Sequence, residues 1–108
     1  MALLTAQPLA VGGVTPTYAS AAAGGDQAPI GRNFLLEIRN GGASPITATL
    51  VTYATFKGIA VADTALVIPA GGIGLVPMDT VYRNPANGQA TVTYSAVTSV
   101  TVAVLQTA

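Results

Sequence analysis

From Phe34 onward, hydrophobic and polar positions alternate with period two. In Phe34–Arg39, Phe34, Leu36 and Ile38 fall on one side and Leu35, Glu37 and Arg39 on the other, the pattern of a half-buried strand. Asn40-Gly41-Gly42 follows, expected to supply positive-φ turn residues, and Ser44-Pro45 ends the loop before a second run, Ile46–Tyr53. The two runs are predicted to form a hairpin or to lie as close antiparallel neighbours. In the second, Ile46, Ala48 and Leu50 alternate with Thr47, Thr49 and Val51, and β-branched residues at that density favour sheet over helix.

The rest of the chain continues alike. Ile59–Val61 and Ala65–Ile68 are short apolar runs, Pro69-Ala70-Gly71-Gly72 marks a turn before Ile73–Val76, and Pro77 ends that strand. Met78–Asn87 is looser, with turn signals at Asn84-Pro85 and Asn87-Gly88. In Ala90–Ala96, Val92, Tyr94 and Ala96 are expected to face inward against Thr91, Thr93 and Ser95. In Val100–Gln106, Val100, Val102 and Val104 alternate with Thr101, Ala103 and Leu105, and Thr98-Ser99 supplies a tight connection between the two strands. Strands at a spacing of roughly 8–12 residues, with no amphipathic helix among them, predict an all-β fold. The expected architecture is a small antiparallel β-sandwich of Greek-key or jelly-roll type.

Residues 1–33 read differently. They are rich in Ala, Gly, Thr and Pro, with Leu3, Leu4, Leu9, Val11, Val14, Tyr18 and Ile30 as their sizeable apolar groups, too few to fold alone. An extended N-terminal arm is predicted, with a short strand around Pro8–Val11, an extended piece at Thr15–Ala21 where Pro16 sets φ, and a turn at Gly24-Gly25-Asp26. Ala21, Ala22 and Ala23 leave about one helical turn between glycines, too little to stand by itself. The expected division is therefore an arm, 1–33, and a β-sandwich domain, 34–108.

Composition sharpens this. The chain of 108 residues has Lys+Arg 4 and Asp+Glu 4, so that only 7% is charged, where an ordinary soluble chain carries about 25%. A mean hydropathy of +0.59 first suggests a membrane, and residues 1–25 and 84–108 are both free of charge. The first window lacks the basic start of a signal peptide and is broken by Gln7, Pro8, Gly12, Gly13 and Pro16. The second opens with Asn84, Pro85, Asn87 and Gly88 and then alternates Thr or Ser with apolar residues. Neither reads as a span, so no membrane partner is expected, and the simplest expectation is an intracellular product without an export signal. Outward threonines keep the surface wet, while a net charge near zero favours association.

Candidate chemistry is sparse. Without His or Cys there is no cysteine nucleophile, no Ser-His-Asp triad and no His- or Cys-based metal site. Asp26, Glu37, Asp63 and Asp79 lie far apart, which suits turn and strand-end roles better than paired acid–base work or a calcium site. Gly71-Gly72-Ile73-Gly74 lacks the Lys-Ser/Thr of a phosphate loop. The four serines have no partner base. Arg32, Arg39, Lys57 and Arg83 are scattered, so no nucleic acid is expected. No enzyme activity, cofactor or metal is expected. Tyr53 and Tyr94 suit the core or a sheet surface. Tyr18 and Tyr82, in irregular segments, are the aromatic candidates for a partner contact, together with Leu9, Val11 and Pro16 of the arm.

A resemblance gives these features a setting. Asn33-Phe34-Leu35-Leu36-Glu37-Ile38-Arg39-Asn40-Gly41-Gly42, followed by Pro45-Ile46-Thr47-Ala48-Thr49-Leu50, resembles the opening of small β-sandwich proteins encoded among the virion structural genes of tailed bacteriophages. The likeness extends to Val67-Ile68-Pro69-Ala70-Gly71-Gly72, to Val81-Tyr82 with Asn84-Pro85, to Gly88–Ser95, and in the arm to Gly13–Tyr18 and Ala23–Asp26. It covers most of the chain and consists of turn and strand patterns. It implies a capsid decoration protein or other minor head protein on the outer surface of the virion shell, made in the host cytoplasm. The implied partners are the major capsid protein and copies of itself, with a homotrimer as the first expectation. The arm would order on binding, adding main-chain hydrogen bonds to a neighbour's sheet edge or lying across capsid subunits. A head–tail connector or tail component is the first alternative, and a glycan-binding or adhesive module, resting on Tyr and Asn residues of Met78–Asn87, is the second.

Overall fold

The computed structural model describes residues 2–106. The strands are β1 (Ala2–Leu3), β2 (Ala6–Pro8), β3 (Ala19–Ser20), β4 (Asp26–Pro29), β5 (Phe34–Asn40) and β6 (Ile46–Leu50). A small hairpin of β7 (Thr55–Phe56) and β8 (Ile59–Ala60) precedes β9 (Thr64–Ile68) and β10 (Ile73–Pro77). A 3₁₀ turn at Thr80–Tyr82 leads to β11 (Gln89–Tyr94) and β12 (Val100–Gln106).

One sheet has the order β1-β4-β11-β6-β9 and the other β10-β5-β12-β2, with β3 also paired to β12. Without the short strands β1, β2, β7 and β8, the orders are β4-β11-β6-β9 and β3-β12-β5-β10. The chain changes sheet at every connection among these except β6 to β9, which is the connectivity of a jelly roll. The core lies between the sheets. Ala48, Leu50, Ile68, Ala90 and Val92 of the first sheet meet Leu36, Ile38, Val76, Val100, Val102 and Val104 of the second, each large aliphatic contributing about 1.5–3 kcal/mol by its burial. The inward sets expected in Ile46–Leu50 and Val100–Val104 are the ones observed.

Several expectations are corrected. Phe34–Arg39 and Ile46–Tyr53 do not form a hairpin, because β5 and β6 belong to opposite sheets. Each run carries its large groups on one face, and the two faces pack against each other, with 41–45 carrying the chain across. Asn40, Gly41 and Gly42 do not have positive φ, unlike Gly25, Gly71 and Gly88. The need there is close approach: a Cβ on Gly41 would lie 3.0 Å from the Ser99 carbonyl oxygen. Asn40 itself is buried and acts as a staple. Its amide nitrogen donates to the carbonyls of Ser44 (2.8 Å), Ile68 (3.1 Å) and Pro69 (3.3 Å), and its oxygen accepts from the Gly42 N–H at 3.0 Å. Ala96, expected inward, is exposed beyond the end of β11. On β12 the outward Ala103 and Leu105 are buried as well, since this strand is flanked by β5 on one edge and by β2 and β3 on the other.

The largest correction concerns 1–33. The segment is extended, but it does not stand apart from the sandwich: residues 2–29 supply β1 to β4 and cover edges of both sheets. β1 runs parallel to β4, β2 parallel to β12, and β3 antiparallel to β12. Leu4, Ala21, Asp26 and Ala28 are buried. The Leu4 N–H donates to Gln27 O (2.7 Å), the Leu9 N–H to Gln106 O (2.8 Å) and the Ala21 N–H to Val100 O (3.0 Å). Small residues suffice because backbone pairing, not core volume, is what a sheet edge requires. The predicted strand at Pro8–Val11 lies earlier, at Ala6–Pro8, because Ala10–Gly13 is a turn closed by the Gly13 N–H on Ala10 O at 2.9 Å.

Candidate interaction surfaces

The five residues expected to contact a partner are not brought together. Leu9 and Val11 are exposed, Val11 completely, at and beside the turn Ala10–Gly13. Pro16 is half-buried on the return of that loop. The return is fixed by Gln7, whose side-chain nitrogen donates to Thr17 O (2.7 Å) and whose oxygen accepts from the Thr17 N–H (2.8 Å). Tyr18 lies on the outer face of the second sheet. Its hydroxyl donates to the Glu37 carboxylate, and the Arg39 guanidinium sits 4.8 Å from its ring centroid, an attraction of about 0.5–1 kcal/mol at an exposed site. The bond to Glu37, followed by burial and the Glu37 charge, holds the Tyr18 phenol above its ordinary value.

Tyr82 is not a surface anchor. Asp79 accepts from the Val81 N–H at 3.2 Å and caps the 3₁₀ turn, and the turn places the Tyr82 ring in the core with its hydroxyl 2.8 Å from that of Thr64.

A surface missed by the sequence reading lies on the opposite side. β9 and β10 end their sheets, and their outward Val67, Ile73 and Leu75 are 64%, 56% and 59% exposed. No charged residue occurs from Thr64 to Met78, although sheet edges are ordinarily blunted by charge. The backbone phase of β10 is set by two bonds, Asn40 N–H to Gly72 O (2.9 Å) and Met78 N–H to Phe34 O (3.0 Å). Even-numbered residues of β10 therefore face β5, and Ile73, Leu75 and Pro77 turn their backbone groups to the open edge. Pro77, without an N–H, sits where no ladder bond is lost. The signal was present in the sequence: Ile73 and Leu75 alternate with Gly74 and Val76, so both faces of the run lack polar residues. On the inner face, a Cβ on Gly74 would lie 2.7 Å from Leu66 Cδ2 and 2.9 Å from Ile68 Cγ1, showing how closely the sheets approach at this edge.

Two further polar features complete the picture. A shallow cleft of about 420 Å³ is lined by Tyr53, Ala54, Thr80, Arg83, Pro85 and Gly88. The Tyr53 hydroxyl there accepts from the Asn84 side-chain amide at 3.3 Å and lies 3.3 Å from the Thr91 hydroxyl. Inside the sandwich Asp26 is fully buried. Its Oδ2 accepts from the Tyr94 hydroxyl (2.8 Å) and the Ala22 N–H (3.3 Å), while Oδ1 has no hydrogen-bond partner. Burial first, then the bond to Asp26 and its charge, pushes the Tyr94 phenol well up. Among the described residues no group of three or more His, Cys, Asp or Glu could hold a metal ion, and no helix is long and apolar enough to cross a membrane. No protein family, curated protein or solved structure matches the chain. Among the described residues, then, the exposed apolar side at β9 and β10 and the cleft at Tyr53 and Arg83 are the candidate surfaces.

Proposed function

We propose that this chain is a structural protein of a tailed-bacteriophage virion, a decoration protein that binds the outside of the capsid shell and stabilises it. Its partners in this reading are the major capsid protein and further copies of itself, with a trimer about a three-fold position as the first expectation. The observation that carries the reading is the open side, where Val67, Ile73 and Leu75 stand exposed beside unpaired strand edges and neither β9 nor β10 carries a charge of its own. A permanently free monomer would be prone to edge-to-edge aggregation there; a protein that lives assembled would not. The jelly roll is shared by capsid and lectin domains and by itself assigns no function.

The test is co-sedimentation with shells that lack the protein. Saturable binding of hundreds of copies per shell, with a rise in the shell's melting temperature, is the expected result. Binding of about a dozen copies would favour a head–tail connector or tail component, and no binding would remove the reading. The Tyr53–Arg83 cleft favours a second reading, a glycan-binding module, since an aromatic face beside a guanidinium suits a sugar. A glycan array without a hit above background would dispose of it.

A further inference from the structure

The loops at the two ends of the sandwich differ in charge. At the end where β5 finishes, 21–25, 41–45, 69–72 and 95–99 contain no charged residue. At the other end lie 30–33, 51–63 and 78–88, which hold Arg32, Lys57 and Arg83 together with Asp63 and Asp79. Both carboxylates there are turned to the chain's own donors: Asp63 Oδ1 accepts from the Thr52 N–H (3.0 Å) and Asp79 Oδ1 from the Val81 N–H (3.2 Å). Arg32 and Arg83 are exposed, and neither guanidinium has a partner among the described residues. Thr80 stands between them, in the wall of the Tyr53 and Arg83 cleft and of a neighbouring cleft of about 330 Å³ that includes Arg32 and Asp79. The remaining exposed pair, Glu37 and Arg39, is engaged with Tyr18 on the outer face of the second sheet.

The hairpin of β7 and β8 springs from the rim of the Tyr53 and Arg83 cleft, since Ala54 lines that cleft and Thr55 begins β7. Its base is clamped: the Thr52 hydroxyl donates to Val61 O, and the Tyr53 and Ala54 N–H groups donate to Val81 O (3.0 and 3.4 Å). Its strands pair only with each other. Lys57 and Gly58 at the tip both have positive φ, 51° and 80°, the two-residue turn that matches strand twist. Ile59 is 70% exposed and Val61 40%. A lone two-stranded hairpin is marginal in water, and a lysine is strained at positive φ where Asn or Gly is not. The core receives nothing from it in return, for no residue described from 54 to 63 belongs to the core. We propose that this hairpin and the adjoining cleft form a docking site for an acidic segment of another protein, with Arg83 receiving a carboxylate and with Ile59 and Val61 covering apolar side chains beside it. Charge argues for this occupant: three cations gather at this end, and both carboxylates among them are already bonded to backbone N–H groups. A guanidinium offers paired donors in the geometry of a carboxylate, and the clamped base leaves little ordering to be lost on binding. A sugar suits the combined surface less, because Ile59 and Val61 are aliphatic and the Tyr53 ring is half-buried with its hydroxyl engaged by Asn84 and Thr91. On the reading of a shell-binding protein, on which this assignment of the partner rests, this is the end that meets the shell protein. The surface itself is probed with no shell present, so a negative result is distinct from a failure to bind capsids.

The test is a titration of the full chain, followed through its backbone amide NMR shifts, with a peptide of alternating Val and Glu and with its Val and Lys counterpart. The acidic peptide is expected to move the amides of Ala54, 57–61, Arg83 and Gly88 and to leave those of Gly41, Gly71 and Ser99 at the far end unmoved. Its dissociation constant should rise about tenfold in Arg83→Gln, the equivalent of one charge-assisted hydrogen bond, and should rise in Ile59→Ser as well. Both side chains are exposed, and unchanged shifts at the far end show that the variants keep the fold. Equal shifts with both peptides, no shift at these amides, or an affinity that neither substitution alters would overturn the proposal. A response to oligogalacturonate, an acidic sugar, without one to the acidic peptide would assign the cleft to a glycan and overturn it equally.

Discussion

The two lateral sides of the sandwich are treated in opposite ways. On one, the edges at β4 and β12 are covered by the chain's own first residues, which place Leu4 in the core and pair through β1, β2 and β3. On the other, β9 and β10 stay open with Val67, Ile73 and Leu75 outward. Both sides are poor in charge, so composition does not separate them. What separates them is whether extended backbone from the same molecule is within reach. A segment too poor in apolar groups to fold alone can still seal an edge, because sealing needs backbone donors and acceptors more than volume.

The largest effect is expected from removing the seal. Deleting residues 1–20 strips β1 to β3 and uncovers β12, and the midpoint of urea unfolding should fall by the equivalent of about 3 kcal/mol or more, given the burial of Leu4 and the lost edge pairing. An unchanged midpoint would mean that the two sides do not differ in stability. Next comes Asn40→Ala, which releases the loops at 41–45 and 69–72, the second of which joins the open strands. Leaving the buried Ile68 carbonyl without its donor should cost about 1–3 kcal/mol, readable in the same titration.

Tyr94→Phe probes the sealed side through Asp26 on β4. Loss of a hydrogen bond to a buried carboxylate should cost about 1.5–3 kcal/mol at neutral pH. The pH dependence has a definite sign. The folded-state phenol titrates above its ordinary value of 10.0, so below that value both folded and unfolded chains hold the proton and the full stability is present. As pH rises beyond it, the unfolded chain releases the proton first and stability falls. Tyr94→Phe should lack the part of the alkaline decline that this group causes; an identical decline in both proteins would contradict the burial of the phenol. The smallest effect is expected on the open side. Leu75→Lys should change the stability of the monomer by no more than about 0.5 kcal/mol, because its side chain already stands in water. A loss of several times that size would show that the open side is not open.

Much of the fold was legible because period-two alternation directly encodes which face is buried. Ile46, Ala48 and Leu50, or Val100, Val102 and Val104, could be assigned inward without knowing their neighbours. Strand partners could not. Alternation is the same whether β5 pairs with β6 or packs across from it, and the glycines after Asn40 serve a close contact with Ser99 that no local rule reveals. Of the candidate contact residues, Leu9 and Val11 lie on the surface, whereas Tyr82 turned inward because the Asp79 cap redirects the chain. The lack of polar residues on either face of Ile73–Val76 is visible in the sequence but reads equally as a buried strand; it takes the sheet order to show that β10 is an edge.

The contrast between the sides is tested most directly by amide hydrogen exchange, resolved by residue and measured in dilute and in concentrated protein. In dilute protein, the amides of Leu4 and Leu9, bonded to Gln27 O and Gln106 O, should be protected while those of Ile73 and Leu75 exchange freely. On concentration, Ile73 and Leu75 should gain protection and Leu4 and Leu9 should not change. Equal protection of all four in dilute protein, or no gain at Ile73 and Leu75 as concentration rises, would contradict the account.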